Sequence, residues 1–186
     1  MKKRWLVIAA LYLPVMFITS LLPFILSFIS PIMPEGFDSI TSEYYMPFAI
    51  LLLLLGSSIM IILGIVNAIR FSRKDAIPRD EAIALMRTQV IMRILQIPVY
   101  VAVFILGTLF MITIFTIGFT IVYILIDLIS IFITGLFAIP VYKQLQKNNL
   151  ITAKESRRYR LFSFIYCLDV LVAIICYLKV KTRPQV

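Results

Sequence analysis

The sequence contains no histidine and only 2 cysteines among 186 residues. Without histidine there is no imidazole to activate a serine or cysteine, none to bind a metal, and no side chain that ordinarily changes charge between pH 5 and 8. Cys167 and Cys176 fall on one predicted helix, where 100° per residue turns them to opposite sides and sets them about 13 Å apart, too far for a disulfide. Charge is scarce: 15% of residues, with 9 acids against 18 bases. No Walker loop, Rossmann fingerprint, metal-ligand cluster or nucleophile elbow is present. No cofactor is therefore expected, and an enzyme is not the favoured reading.

What remains is apolar. Hydrophobic residues make up 62% of the chain and the mean hydropathy is +1.03, whereas soluble domains are about 45–50% apolar. Several uncharged runs exceed about 18 residues, the length of a membrane-crossing helix. The fold class expected is all-α: a polytopic helical membrane protein with about five transmembrane helices in a single domain spanning 1–186. The spans are placed at 5–30, 47–69, 97–116, 119–141 and 161–178. Between Ile97 and Tyr142 the one charged residue is Asp127. As a straight helix that stretch would run about 69 Å against roughly 30 Å of hydrocarbon, so a hairpin is placed at Gly118.

The net charge of +9 points to membrane topology and not to nucleic acid. Basic residues cluster at the N-terminus and in loops 70–93 and 143–160, with three, six and six of the 18. Loop 31–46 carries Glu35, Asp38 and Glu43 and no base. The basic segments therefore mark the cytoplasmic side, N-terminus included, with their partners the bilayer and its anionic head groups, in a bacterial plasma membrane. Lys179, Lys181 and Arg183 would then face outward beyond a fifth span, outvoted by the rest. Thr152 and Glu155 have the spacing of a capping box at a helix start. Gly56, Gly64 and Ala68 lie on one side of the second span and suit close helix packing, within this chain, in a homo-oligomer, or against a partner membrane subunit.

Two acids sit in the apolar sequence. Thr120, Tyr123, Asp127, Ser130 and Thr134 follow a 3-4-3-4 spacing that gathers them within an arc of about 80° on the fourth span. Tyr166, Asp169, Ala173 and Cys176 repeat that spacing on the fifth. If consecutive helices pack side by side, Asp127 and Asp169 face each other. No basic residue lies within the spans as placed, and Arg70 and Lys179 are interfacial, so an ion pair is not expected. The acids can then be protonated, share a proton, bind a cation, or simply hydrogen-bond a neighbouring helix.

The candidate ion or proton site is Asp127 and Asp169 with Tyr123, Ser130 and Tyr166, in a small ion- or proton-coupled transporter or a membrane subunit of one. The alternatives are a non-catalytic accessory, assembly or immunity protein, and an intramembrane aspartyl hydrolase. The contexts "LIDLI" and "CLDVL" lack the glycine or asparagine motifs of known intramembrane aspartyl enzymes.

Overall fold

A computed structural model describes residues 6–9, 11–12, 14–19, 46–111, 117–165 and 167–182, and all regular structure among them is helical. The helices are α1 (Leu6–Thr19), α2 (Met46–Arg73), α3 (Arg79–Phe110), α4 (Ile117–Lys147), α5 (Ala153–Phe162) and α6 (Leu168–Thr182). Three of them, α2, α3 and α4, contain stretches long and apolar enough to cross a membrane. Their outward faces carry large exposed apolar side chains, such as Leu54 and Ile62 on α2, Leu95 and Phe104 on α3, and Ile121 and Leu128 on α4. That exterior would be costly in water and is ordinary in lipid. Tyr166 and the acidic loop 31–46, both singled out by the sequence, lie outside the described residues.

α4 is the central helix. It packs on α2, α3 and α5, and its Ile133, Phe137, Ala138, Tyr142 and Leu145 are buried. A Cβ on Gly64 of α2 would come within 3.1 Å of Leu136 on α4, so the missing side chain is what lets these two helices approach. Gly56 stands against Met16 of α1, while Ala68 is half-buried. Where the long apolar tract folds back, α3 ends at Phe110 and α4 begins at Ile117. Gly118 is thus inside the first turn of α4 and not at the bend.

The α2–α3 connection is pinned by α4. Gln144 donates to Phe71 O at 3.0 Å and accepts from Ile77 N at 3.2 Å, and Lys147 donates to Ser72 O at 3.0 Å and also to Lys74 O. These bonds satisfy carbonyls that the end of α2 leaves without helical partners. α4 itself ends in a left-handed Asn149 (φ 56°), with Leu150 N bonding Leu145 O and Asn149 N bonding Gln146 O, both at 3.0 Å. That is the Schellman termination. Thr152 then starts α5 with the capping box its sequence announced.

α3 runs 32 residues from the basic loop without a break, through Pro98. The segment expected as a fifth span behaves differently. Residues 161–178 are not one helix: α5 stops at Phe162, Cys167 takes a left-handed backbone (φ 61°), and α6 starts at Leu168. Glu155 near the start of α5 forms an ion pair with Lys179 near the end of α6. Along one straight helix those residues would stand about 36 Å apart. The chain therefore turns back on itself, and α6, at 15 residues, is about 22 Å long, less than a hydrocarbon core requires. The end of α6 returns to the end of the molecule where α5 begins.

Candidate functional site

Buried polar groups line the contact between α3 and α4. On α3, Gln89, Arg93, Gln96 and Tyr100 follow a 4-3-4 spacing and are 3%, 2%, 2% and 7% exposed. They form one face of the helix, as Thr120, Tyr123, Ser130 and Thr134 do on α4, all of them buried. The register of the two antiparallel helices is set by Thr120 Oγ1, which donates to Gly107 O at 3.0 Å. Seven residues make almost two whole turns and keep the same face. Seven steps along α4 and seven back along α3 thus bring Asp127 opposite Tyr100. Fourteen steps bring Thr134 opposite Arg93, and those two do line a common cavity. Tyr100 also stands beside Ser130 and within electrostatic range of Asp127, Asp169 and Arg93.

The expectation that no basic side chain reaches the acids does not hold. Arg93 Nη1 donates to Asp169 Oδ2 at 2.5 Å, with both side chains all but fully buried. Arg93 belongs to the segment counted as a cytoplasmic loop. Because α3 rises unbroken from Arg79, its fourteenth residue past that start is about 21 Å along the helix axis. Asp169 comes to meet it because α6 begins in the interior. The carboxylate lies in the first turn of α6 and so receives both a guanidinium and the positive end of a helix. Among the described residues, Asp169 Oδ1 and Arg93 Nη2 are buried and have no hydrogen-bond partner.

Asp127 has a different environment. Among the described residues it has no ion-pair partner; its Oδ1 is buried without a hydrogen bond, and the residue as a whole is half-buried. Asp169 contributes to its electrostatics. The structure therefore brings Asp127, Asp169 and Ser130 to one region. Tyr123 is buried on the same face of α4 and packs its ring against Phe17 of α1, with centroids 6.0 Å apart. The two acids are not an equivalent pair, since one is neutralised by Arg93 and the other is not.

Two cavities flank the cluster. A small one of about 20 Å³, lined by Gln89, Arg93, Gln96 and Thr134 with Leu6 and Ala9 of α1, has room for about one water and the polar partners to hold it. A larger groove of about 460 Å³ lies on the other side, between α3 and α6. At the far end of α6 the Lys179 ammonium, helped by the Thr152 N–H, holds the Glu155 carboxyl down at about 2.

Sequence reasoning missed Arg93, Gln89 and Gln96. Their 4-3-4 spacing with Tyr100 was the available signal, but it straddles the boundary drawn between loop and span. Among the described residues no group of three or more His, Cys, Asp or Glu side chains is placed to hold a metal. No family model, no curated protein and no solved structure matches the chain.

Proposed function

We propose that this chain is a proton-coupled transport protein of a bacterial plasma membrane, or the membrane subunit of one, with Asp127 as the carboxyl that binds and releases the proton. The observation that carries the reading is the charge count of the cluster: two carboxyls, Asp169 buried and Asp127 half-buried, against one buried guanidinium. With Asp127 protonated the cluster is neutral. With Asp127 ionised it holds one uncompensated negative charge in an apolar environment, a state that costs several kcal/mol unless a cation replaces the proton. Exchange of a proton for another cation follows from that arithmetic. α6 supports the reading because it begins in the interior beside the cluster, in the manner of the broken helices that form transporter sites.

In this proposal α1, α2, α3 and α4 cross the bilayer and α5–α6 form a re-entrant hairpin, making four crossings. The N-terminus, both basic loops and the C-terminal tail then share the cytoplasmic side, where they meet anionic head groups, and no basic segment faces outward. Backbone that turns at membrane depth is tolerated where protein covers it; Ser163 and Asp169, which flank the turn, are buried, and Ile165, Cys167 and Leu168 are exposed. With Cys167 and Cys176 replaced, single cysteines at Ser39, Ser72 and Thr182 test this with an impermeant thiol reagent on intact cells. Only Ser39→Cys should react; reaction of Thr182→Cys restores a fifth crossing.

The chemistry is tested by thermal melts between pH 5 and 8. Wild type should show a pH-dependent melting temperature that Asp127→Asn lacks. Equal profiles would instead support an accessory or assembly protein, a reading favoured by one observation, the Arg93–Asp169 pair acting as a fixed latch between α3 and α6. The aspartyl hydrolase reading loses support, because Asp169 is held by Arg93 and is not free to share a proton with Asp127.

A further inference from the structure

The small cavity between α1, α3 and α4 brings four polar side chains together inside an apolar molecule. Gln89, Arg93 and Gln96 of α3 and Thr134 of α4 line it, and Leu6 and Ala9 of α1 close it. The 4-3 spacing of the α3 residues puts them on one face of that helix, and all four polar side chains are buried. Both polar atoms of the Gln89 amide, Nε2 and Oε1, have no hydrogen-bond partner among the described residues, and neither has Arg93 Nη2. Buried polar groups are nearly always hydrogen-bonded, because a bare one keeps the whole cost of its desolvation. A buried amide and a buried guanidinium N–H at one cavity therefore call for a ligand there.

Size and chemistry narrow that ligand. The volume of about 20 Å³ suits one water, which needs about 10–15 Å³, and excludes an organic molecule. The lining offers donors and acceptors together. Arg93 Nη2 only donates, and the Gln89 amide does both. The Thr134 hydroxyl donates within its own helix, to Ser130 O and Ile131 O, and keeps lone pairs that accept. A halide would meet those oxygens and a guanidinium whose charge Asp169 already balances. A metal ion would meet the guanidinium itself. We infer that the cavity binds one water molecule, which accepts from Arg93 Nη2 and donates to Gln89 Oε1. The Gln89 amide can turn to meet it, since a terminal sp³–sp² torsion has broad wells. Through this water Gln89 joins the buried pair: it completes the guanidinium that α3 offers to α6, where bulk water is excluded. Asp127 takes no part, so the site does not depend on the proton-coupled reading.

X-ray radiolysis in heavy-oxygen water, read by mass spectrometry, detects internal water, because hydroxyl radicals formed at a bound water oxidise the side chain beside it. Phe137 lines the cavity and is 0% exposed, so it serves as the reporter. With the full-length protein in lipid nanodiscs, heavy oxygen should enter Phe137 in wild type. The label should fall to background in Gln89→Met, which keeps the length of the side chain and removes the amide. Gln89→Leu replaces that variant if it does not fold. The melting temperature supplies an independent sign. With the water bound, Gln89→Met strands Arg93 Nη2 and should melt about 2–4 °C lower, the shift expected for one net hydrogen bond in a chain of this length. If the cavity is dry, the same substitution removes a bare buried amide and should melt higher. Phe137 free of heavy oxygen, a label undiminished in Gln89→Met, or a melting temperature raised by that substitution would each overturn the inference.

Discussion

Two segments leave the basic end of the molecule in the same way and finish differently. Each follows a long apolar helix, each carries six basic residues in and beside its connection (70–93 and 143–160), and each restarts with a helix-start signal, the N-cap Pro78 in one case and the Thr152–Glu155 box in the other. From there α3 continues for 32 residues, whereas the second segment stops after the 10 residues of α5 and returns as α6. An unbroken helix satisfies its own backbone wherever it goes. A broken one must find partners at the break, and those partners come from the first segment and from α4. Arg93 of α3 meets the exposed start of α6, and Gly135 of α4 leaves room for the Phe164 ring. The long helix supplies the charge that the short hairpin needs in order to end inside.

The sharpest way to break this relation is to remove one member of the ion pair. Arg93→Ala leaves a buried carboxylate, and Asp169→Ala leaves a buried guanidinium. Each should cost about 3–5 kcal/mol of stability, read as a lowered unfolding midpoint in detergent. Replacing both by leucine should recover most of the loss, because it also removes the desolvation of two charges. Asp169→Asn should likewise be destabilised at every pH, in contrast to Asp127→Asn, which strands no partner. Additive losses in the double variant would mean that α3 and α6 are not coupled through this pair.

A smaller effect is expected at the glycines, where the two segments again differ. A Cβ on Gly135 would lie 2.7 Å from the Phe164 ring and 3.1 Å from Ser163 O, with Phe164 already packed at a tilt against Phe132, 5.7 Å between centroids. Gly135→Ala should therefore destabilise by about 1–3 kcal/mol, and Phe164→Leu should relieve part of it. On α3, a Cβ on Gly107 meets nothing within 4 Å among the described residues. Gly107→Ala should stabilise by about 0.5–1 kcal/mol, through the lower entropy of the unfolded chain. Melting temperatures of the two variants moving in the same direction would contradict the account of the break.

What could be read from the sequence follows from what each signal depends on. Hydropathy reports burial in apolar surroundings, and it located the long helices. The capping box and Asn149 are local backbone chemistry, visible within four residues. The turn at 163–167 has no such mark: "SFIYC" contains neither glycine nor proline, and a left-handed Cys167 is disfavoured by about 1–2 kcal/mol on its own. The residues on either side of it are held by groups distant in sequence: Gly135 lies against Phe164 and Ser163 O, and Arg93 pairs with Asp169. For the same reason Asp169 looked like a second copy of Asp127. Spacing placed both on polar faces, but only the fold decides which of them receives Arg93.

The smallest expected effect tests the closure of the hairpin at its other end. Glu155 and Lys179 pair there, with side chains 24% and 37% exposed, so water screens them and the pair adds about 0.2–1 kcal/mol. Glu155 also accepts from Thr152 N at 2.9 Å in the capping box, a contribution of similar size. Glu155→Gln keeps part of the second and loses the first, and should cost no more than about 1 kcal/mol. The pH dependence has a definite sign. The Glu155 carboxyl titrates near 2 in the folded protein against an ordinary 4.5, so its stabilisation is complete above about pH 4.5 and fades as pH falls toward 2. Wild type and Glu155→Gln should therefore differ in unfolding midpoint at pH 6 and converge as pH falls toward 2. A difference that persists unchanged toward pH 2 would show that Glu155 is not held by Lys179, and the fold-back of α6 onto α5 would lose its clamp. A bismaleimide with a spacer of about 8 Å separates the remaining cases. It can join Glu155→Cys to Lys179→Cys across a hairpin but cannot span the roughly 36 Å of a continuous fifth helix.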